Sequence, residues 1–580
     1  MNKKLLITST IFMAFIMTFS PYSTVLAQDP FVGGTLTVPM GSDALTLNPF
    51  TWGSTYESYI IGHIYDALVQ NDINNQPTPV LCTGWTHNET LEKWIFTLRE
   101  DVYWSDGEPL DIYDVNYTWY LLWTDPAIPR RSWLFDEIFD ITVLSDTQIQ
   151  VEFWWGPKPA DVLYDFATTW IVPQHIWEDI TDIYTFANEE PVGCGPFVLE
   201  EWSHGSFFRF SRNDQYYLDG PWVETKIVQI IREIEAGYYA LSVGDIELLG
   251  AVPPELENVA KSDPNIEIHE YLNDYIMYLG LNQRRYPNDE VNFRKAVLHG
   301  INRSEIMEIA GYGRGLVAPA SMSLPYGAYY NPDIEQYAYD VALANQLLDD
   351  LGFLDTDNDK VREDGLGDPL KFNLGVSAEY QESVDTARMI QNYMLALNIS
   401  ITVQPVIWDI LWSTVGGPGG SYAGKYDYDW AFLGWTGFWS DFHPSWAYWM
   451  FSANRWWGSD NVNIPGWNSS VRWEVTTLVD EVLYETDEAI VRQKLDEAQV
   501  LIAEDLPYLP IRITGGVTLY RTDKFTGWIM GNTTGPDNWQ SWMAVHLIEP
   551  DEGAPGFEIM TAVLAVGFIL GITYFRKRRK

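Results

Sequence analysis

Cysteine is almost absent: Cys82 and Cys194 are the only two among 580 residues. A disulfide-held scaffold is therefore excluded, and either one bridge or two separate buried thiols is expected. Basic residues are scarce too, 35 Lys and Arg against 80 Asp and Glu, for a formal net charge of -45. Such a surface repels nucleic acid and anionic lipid, so neither is expected as a partner of the folded body. The acidity reads as a solubilising exterior. The eight histidines are scattered without i,i+4 pairs or a Cys/His cluster, which leaves a catalytic metal without a ligand set. G-x-S-x-G, H-E-x-x-H and phosphate-loop patterns are missing, and "GYGRG" and "GGPGG" lack fingerprint spacing. No enzyme is expected, and no repeat of solenoid length is seen.

The chain is rich in apolar and aromatic residues, 46% and 15%, enough for more than one core at this length. Residues 1–27 read as a signal peptide: Lys3 and Lys4, a short apolar core, then Val25 and Ala27 before Gln28. No cysteine follows closely, so an N-terminal lipid anchor has no attachment point. Residues 549–556 form an acidic Pro/Gly tether. Residues 557–575 are a transmembrane helix or a sorting signal, and the basic residues 576–580 form a positive-inside tail. Pro555-Gly556-Phe557 also resembles the archaeal PGF-type sorting signal, in which the tail is exchanged for a lipid. The body is expected on the extracellular face, held by its C-terminus.

Between these ends strands and helices interleave, which predicts an α/β fold of sheets covered by helices. "GGTLTVPM", "WIFTLRE", "VLSDTQIQVEFWW", "TKIVQIIREI", "LKFNLGVS" and "ITVQPVI" read as strands. Asp111 is placed to cap a helix over "IYDVNYTWYLLW" with Asp114 in its first turn. "EVNFRKAVLHGINRSEIMEIAG" reads as a helix pair, and Trp104 as a packing residue.

Five blocks, in order, carry a resemblance: "FTLREDVYWSDGEPLDIYDVNYTW", "PVGCGPFVLEEWSHGSFFRFSRNDQYYLDGP", "YLGLNQRRYPNDEVNFRKAVLHGINRSEIM", "ANQLLDDLGF" and "AQVLIAEDLPYLPIRI". Over roughly Gly33 to Leu547 the chain resembles the family 5 extracellular solute-binding proteins, the peptide/nickel/oligosaccharide class serving ABC importers. The resemblance implies a type II periplasmic-binding-protein-like fold, two lobes around a cleft plus an inserted domain. Carried here, lobe one comprises 31–55, 191–268 and 512–548, the inserted domain 56–190, and lobe two 269–511. In "GCGPF", Gly193 and Gly195 suit a tight backbone passage between lobes. The implied partners are an ABC permease and its ATPase, with the chain itself a monomer.

The candidate site centres on "GWTGFWSDFHPSWAYWMFSANRWWG", residues 434–458, with six tryptophans. Trp446 and Trp449, at helical spacing, read as packing. Trp435, Thr436 and Trp439, beside the family's ligand strand, read as cleft wall, because indole faces stack on sugars or apolar side chains. In peptide-binding members an aspartate shortly after "GW" neutralises the ligand's amino terminus. That place falls here on Phe438 or Ser440, neither acidic, with Asp441 adjacent. Thr51, Trp52 and Ser54 are expected to face it from the other lobe, and Trp408 and Trp412 to add aromatic surface. No cofactor is expected beyond a structural calcium at "DTDNDKVRED". Asp355, Asp357 and Asp359 hold the first, third and fifth positions, but Lys360 replaces glycine at six and Leu366 replaces glutamate at twelve. The ligand is expected to be oligopeptide-like, with an oligosaccharide as the alternative. A secreted hydrolase and a surface sensor or adhesion protein are the rival classes.

Overall fold

The computed structural model describes residues 30–548 apart from 75, 131, 158, 416–427, 437–445, 454–464, 486 and 532. Strand Thr35–Met40 alternates outward and inward, burying Leu36, Val38 and Met40. It pairs in parallel with Thr225–Ile230, which continues through Phe207–Arg212 to Phe197–Ser203 as a four-stranded sheet. Helix Thr55–Ile64 begins at a capping box: Ser54 accepts from the Glu57 N–H and Glu57 accepts from the Ser54 N–H.

A second four-stranded, antiparallel sheet runs in the order Cys82–His87, Lys93–Leu98, Gln148–Phe153 and Ile138–Ser145. "VLSDTQIQVEFWW" is therefore not one strand but most of a hairpin. Ser145 Oγ accepts from the Thr147 N–H at 3.3 Å, a local turn bond that competes with continuing the strand. Helix Ile112–Thr124 packs against this sheet, with its capping box formed by Asp111 and Asp114 as the spacing predicts. Asp114 also accepts the indole N–H of Trp104, which is buried.

The largest sheet has seven strands, in the order Leu248–Gly250, Leu509–Arg521, Ile266–Leu281, Trp430–Thr436, Lys371–Ser377 and Ser400–Val406, with Gly315–Val317 added beside Leu509–Arg521. Alternate residues enter two different cores. Met277, Leu279, Trp430 and Phe432 pack on one face with Phe293, Leu374 and Ile390. Tyr278, Ala431, Leu433 and Ile513 pack on the other with Trp446, Val479 and Leu495. The period of two along each strand produces this three-layered arrangement.

Two strands of this sheet, Ile266–Leu281 and Leu509–Arg521, are long enough to traverse both lobes. Their ladder is broken midway. Leu272 pairs with Gly515 and Ile276 with Ile513, so Asn273, Asp274 and Tyr275 stand opposite Thr514 alone. A bulge of this kind bends the strand and frees backbone groups to be met in other ways. Asn273 Nδ2 donates to Thr514 Oγ1 at 3.2 Å, and the Tyr326 hydroxyl donates to the Asn273 carbonyl at 3.0 Å.

Among the described residues no helix is long and apolar enough to cross a membrane; residues 557–575 lie outside them. The glycines of "GCGPF" have a clear role. The Gly195 N–H donates to the Ile64 carbonyl at 2.8 Å, and a Cβ on Gly193 would stand 2.0 Å from that same oxygen. Gly193→Ala is expected to cost about 1–3 kcal/mol of stability, as other overpacked sites do. Urea unfolding of the two proteins measures this, and equal midpoints would refute the close-approach explanation.

Candidate functional site

A cavity of about 900 Å³ opens where the two long strands break. That volume falls among ligand pockets, which span roughly 300–1,000 Å³. Tyr271, Asn273 and Tyr275 enter it from one strand, and Arg512 and Thr514 to Val517 from the other. Two of its walls are tyrosine rings laid against glycine backbone. A Cβ on Gly434 would stand 2.0 Å from the Tyr275 ring, and one on Gly516 would stand 2.4 Å from the Tyr271 ring. Gly434 of the "GW" pair is therefore the seat of Tyr275, a role invisible in the motif itself. Burial, with Tyr380 adding to it, pushes the Tyr275 hydroxyl up to about 12, so it stays a neutral donor.

The expected aromatic surface is present in part. Trp408 lines the cavity beside Tyr380. Its backbone N–H donates to Glu379 Oε1 at 3.1 Å, and its ring stacks on Trp412 at 5.3 Å, so Trp412 braces Trp408. Trp435 and Thr436 end the strand Trp430–Thr436, where their backbones pair with Ile276 and Tyr275. Trp439 and Asp441 lie outside the described residues.

Thr51, Trp52 and Ser54 are not among the cavity-lining residues. Ser54 is occupied as a helix cap. Trp52 is covered by the Arg130 guanidinium, 3.7 Å above its ring, and meets Trp170 edge-on. The Thr51 N–H donates to the Asn48 carbonyl at 3.3 Å, closing a local turn.

Two ion pairs stand at the cavity. Arg314, just before strand Gly315–Val317, pairs with Glu257 in helix Pro254–Ala260, and its Nη1 donates to the Val252 carbonyl at 3.2 Å. The helix precedes the long strand Ile266–Leu281 in the chain and the arginine follows it, packed against Gly515 at the break, so the contact ties these two segments together. Arg512 pairs with Glu382, in the first turn of helix Gln381–Leu395. Among the described residues lining the cavity there is no histidine, cysteine or lysine. Sequence reasoning missed Tyr271, Tyr275, Glu382 and Arg512 altogether.

Asp355, Asp357 and Asp359 converge with Glu363, each offering an oxygen within 4.8 Å of the others. Lys360 adopts φ 72, the left-handed turn that glycine usually supplies at position six. Glu363, at the ninth position, brings the fourth carboxylate in place of the missing twelfth-position ligand. Cys82 and Cys194 are both free and buried, so the bridge is not formed. Burial pushes the Cys82 thiol up to about 11, far from a reactive thiolate.

Layered α/β lobes joined by two through-running strands, with a cavity of ligand size at their break, are the architecture of a binding protein. The profile of the bacterial extracellular solute-binding proteins, family 5, middle region, matches residues 76–458, and the chain belongs to that family. It is 26% identical over 372 residues to the nickel-binding periplasmic protein of Escherichia coli, covering 62% of this chain and 68% of that one. It is 24% identical over 506 residues to a probable D,D-dipeptide-binding periplasmic protein of the same organism, covering 83% and 88%. In structure it resembles the Bacillus subtilis oligopeptide-binding protein in complex with a nonapeptide, at TM-score 0.73 and 20% identity, covering 90% of this chain and 100% of that one. A Thermotoga maritima periplasmic oligopeptide-binding protein gives TM-score 0.76 at 20% identity, covering 89% and 99%.

Breaking a buried ion pair from one side leaves an uncompensated charge. Glu257→Gln is therefore expected to weaken ligand binding at least roughly tenfold, because each 1.4 kcal/mol lost from the closed state is about a factor of ten. Calorimetry and small-angle scattering check this together. Unchanged affinity and an unchanged radius of gyration would show that the pair contributes nothing to closure.

Proposed function

We propose that this chain is the substrate-binding component of an ABC importer that captures oligopeptide-like solutes by hinge closure and delivers them to a permease and its ATPase. The observation that carries this reading is the cavity at the break of the shared ladder, walled by Tyr271, Tyr275 and Trp408. Closure around the break lets both lobes touch one ligand, and only a ligand that contacts both shifts the equilibrium. The peptide and dipeptide ligands named for its relatives support the choice of class. No bond is made or broken in this scheme.

The reading includes a monomer on the extracellular face, held by the C-terminal segment as in archaeal proteins of this type, with lobes divided at 268/269 and 511/512. It includes Trp435, Thr436, Trp439 and Asp441 as further wall, beside Trp408. The decisive experiment is calorimetry of the exported body against short peptides and, separately, oligosaccharides. Peptide binding without turnover is expected. Sugar binding alone would transfer the protein to the oligosaccharide branch, and sustained hydrolysis would remove it from the transport class.

The reading also includes a structural calcium at Asp355, Asp357, Asp359 and Glu363. Added calcium is expected to raise the melting temperature, and Asp357→Asn to abolish that rise. Identical melts with calcium and with chelator would refute the site.

A further inference from the structure

Three buried arginines in the same part of the molecule differ in what satisfies them. Arg294 donates to the carbonyls of Asn288, Asp289, Asp505 and Leu506 as well as to the Asp505 carboxylate. Arg303 donates to four carbonyls, of Ala318, Gln336, Tyr337 and Pro510. Both are structural clamps, their N–H groups spent on backbone. Arg512 is as deeply buried, 2% exposed, yet its one polar partner among the described residues is Glu382.

A guanidinium carries five N–H donors, and leaving buried donors unmade is costly. Nε of Arg512 has no hydrogen-bond partner. Gly311 packs closely beside Nη1, where a Cβ would stand a tight 3.2 Å away. Arg512 and Glu382 both line the cavity, so the pair is made at its wall. Burial lowers its pKa to about 10, so it remains a cation at neutral pH. Glu382 is different in kind. Its side chain is 38% exposed and sits at the helix start, where it can leave without exposing a core.

We propose that Arg512 is the anchor for a carboxylate group of the ligand, and that Glu382 is a placeholder which holds the guanidinium until that carboxylate arrives. The ligand class is thereby narrowed to carboxylate-bearing solutes, such as a peptide with a free C-terminus or an acidic side chain. The inference rests on the peptide reading of this cleft and deepens it. A planar carboxylate can take two parallel N–H bonds from one guanidinium edge, a fit that a neutral amide lacks. The placeholder gives the two residues opposite signs: removing the anchor weakens binding, and removing its competitor strengthens it.

The test is calorimetry of the exported body and its variants with three sets of short peptides. The sets have free C-termini, amidated C-termini without acidic residues, and amidated C-termini with an internal Asp or Glu. The last two distinguish a terminal from a side-chain carboxylate. Arg512→Gln is expected to lose about 10–100-fold in affinity for carboxylate-bearing peptides and little for the neutral amidated set, the range of a charged hydrogen bond. Arg512→Lys is expected to recover part of the loss. Glu382→Gln is expected to bind carboxylate-bearing peptides several-fold more tightly. Because each variant is judged by its own ratio between peptide sets, a partly unfolded sample does not imitate the result. An equal loss for all sets, or weaker binding by Glu382→Gln, would overturn the proposal and leave the pair structural. Wild-type protein that binds no peptide at all would overturn the peptide reading, and this inference with it.

Discussion

Everything else in this molecule hangs on the antiparallel pairing of Ile266–Leu281 with Leu509–Arg521. These strands stand inside the largest sheet, so helices on both faces depend on them for a packing surface. They also traverse both lobes, so their shape sets the relation of one half to the other. An unbroken ladder would serve the first purpose and defeat the second, because a continuous sheet resists bending. Three residues opposite one resolve the conflict locally. One group released from the ladder, the Asn273 carbonyl, is met by the Tyr326 hydroxyl, and the Asn273 and Thr514 side chains bond each other at the break. Two neighbouring glycines keep that place thin: Gly516 lets the Tyr271 ring lie on it, and Gly515 admits the backbone of Arg314 and Gly315.

The charge of the chain is arranged against its own average. A chain with a net charge of -45 keeps two arginines at the cavity, each paired with a carboxylate. Cations in an acidic protein are inexpensive to hold electrostatically, but the balance here is local, because screening limits exposed charges to about 8–10 Å at ordinary salt. What separates Arg314 and Arg512 from Arg294 and Arg303 is the supply of backbone carbonyls around them. Where carbonyls surround a guanidinium it is a rivet. Where they are sparse and space remains, it is a group still able to bind.

Much of the fold could be read in the residues. The Asp111 and Asp114 capping box, buried Trp104, the Thr35–Met40 strand, the helices Val291–His299 and Arg303–Ile309, and the close passage at Gly193 are all local patterns, written within a few residues. The hairpin within residues 138–153 was hidden, because its turn of Ser, Asp and Thr carries no glycine or proline. The site was much less legible. Tyr271, Tyr275, Glu382 and Arg512 are separated by up to 241 positions and meet only through sheet register, for which one sequence holds no signal. Thr51, Trp52 and Ser54 show the converse: their local engagements, the helix cap at Ser54 and the cation over the Trp52 indole, are not written in the turn itself. Glu363 was passed over because a fourth carboxylate was sought at position twelve and the chain brings one to the cluster from position nine.

The two ion pairs imply different things about closure. Arg314 and Glu257 tie the segments on either side of Ile266–Leu281 directly to each other, so this pair would favour closure whether or not anything is bound. A bias of that sort raises affinity by lowering the cost of closing, yet it blurs the signal, since a permease that reads closure would also meet empty receptors. Discrimination then has to come from an interaction present only with ligand. Arg512 with its placeholder has that character: Glu382 holds the guanidinium, and a ligand carboxylate would displace it to solvent and take its place. Ligand and helix terminus compete for one guanidinium, so the free energy of binding is a difference of two similar contacts. Such a difference is small for a poor fit and substantial only where the second, parallel hydrogen bond forms. Selectivity in this cleft is thus set by what the incoming group must displace as much as by what it touches.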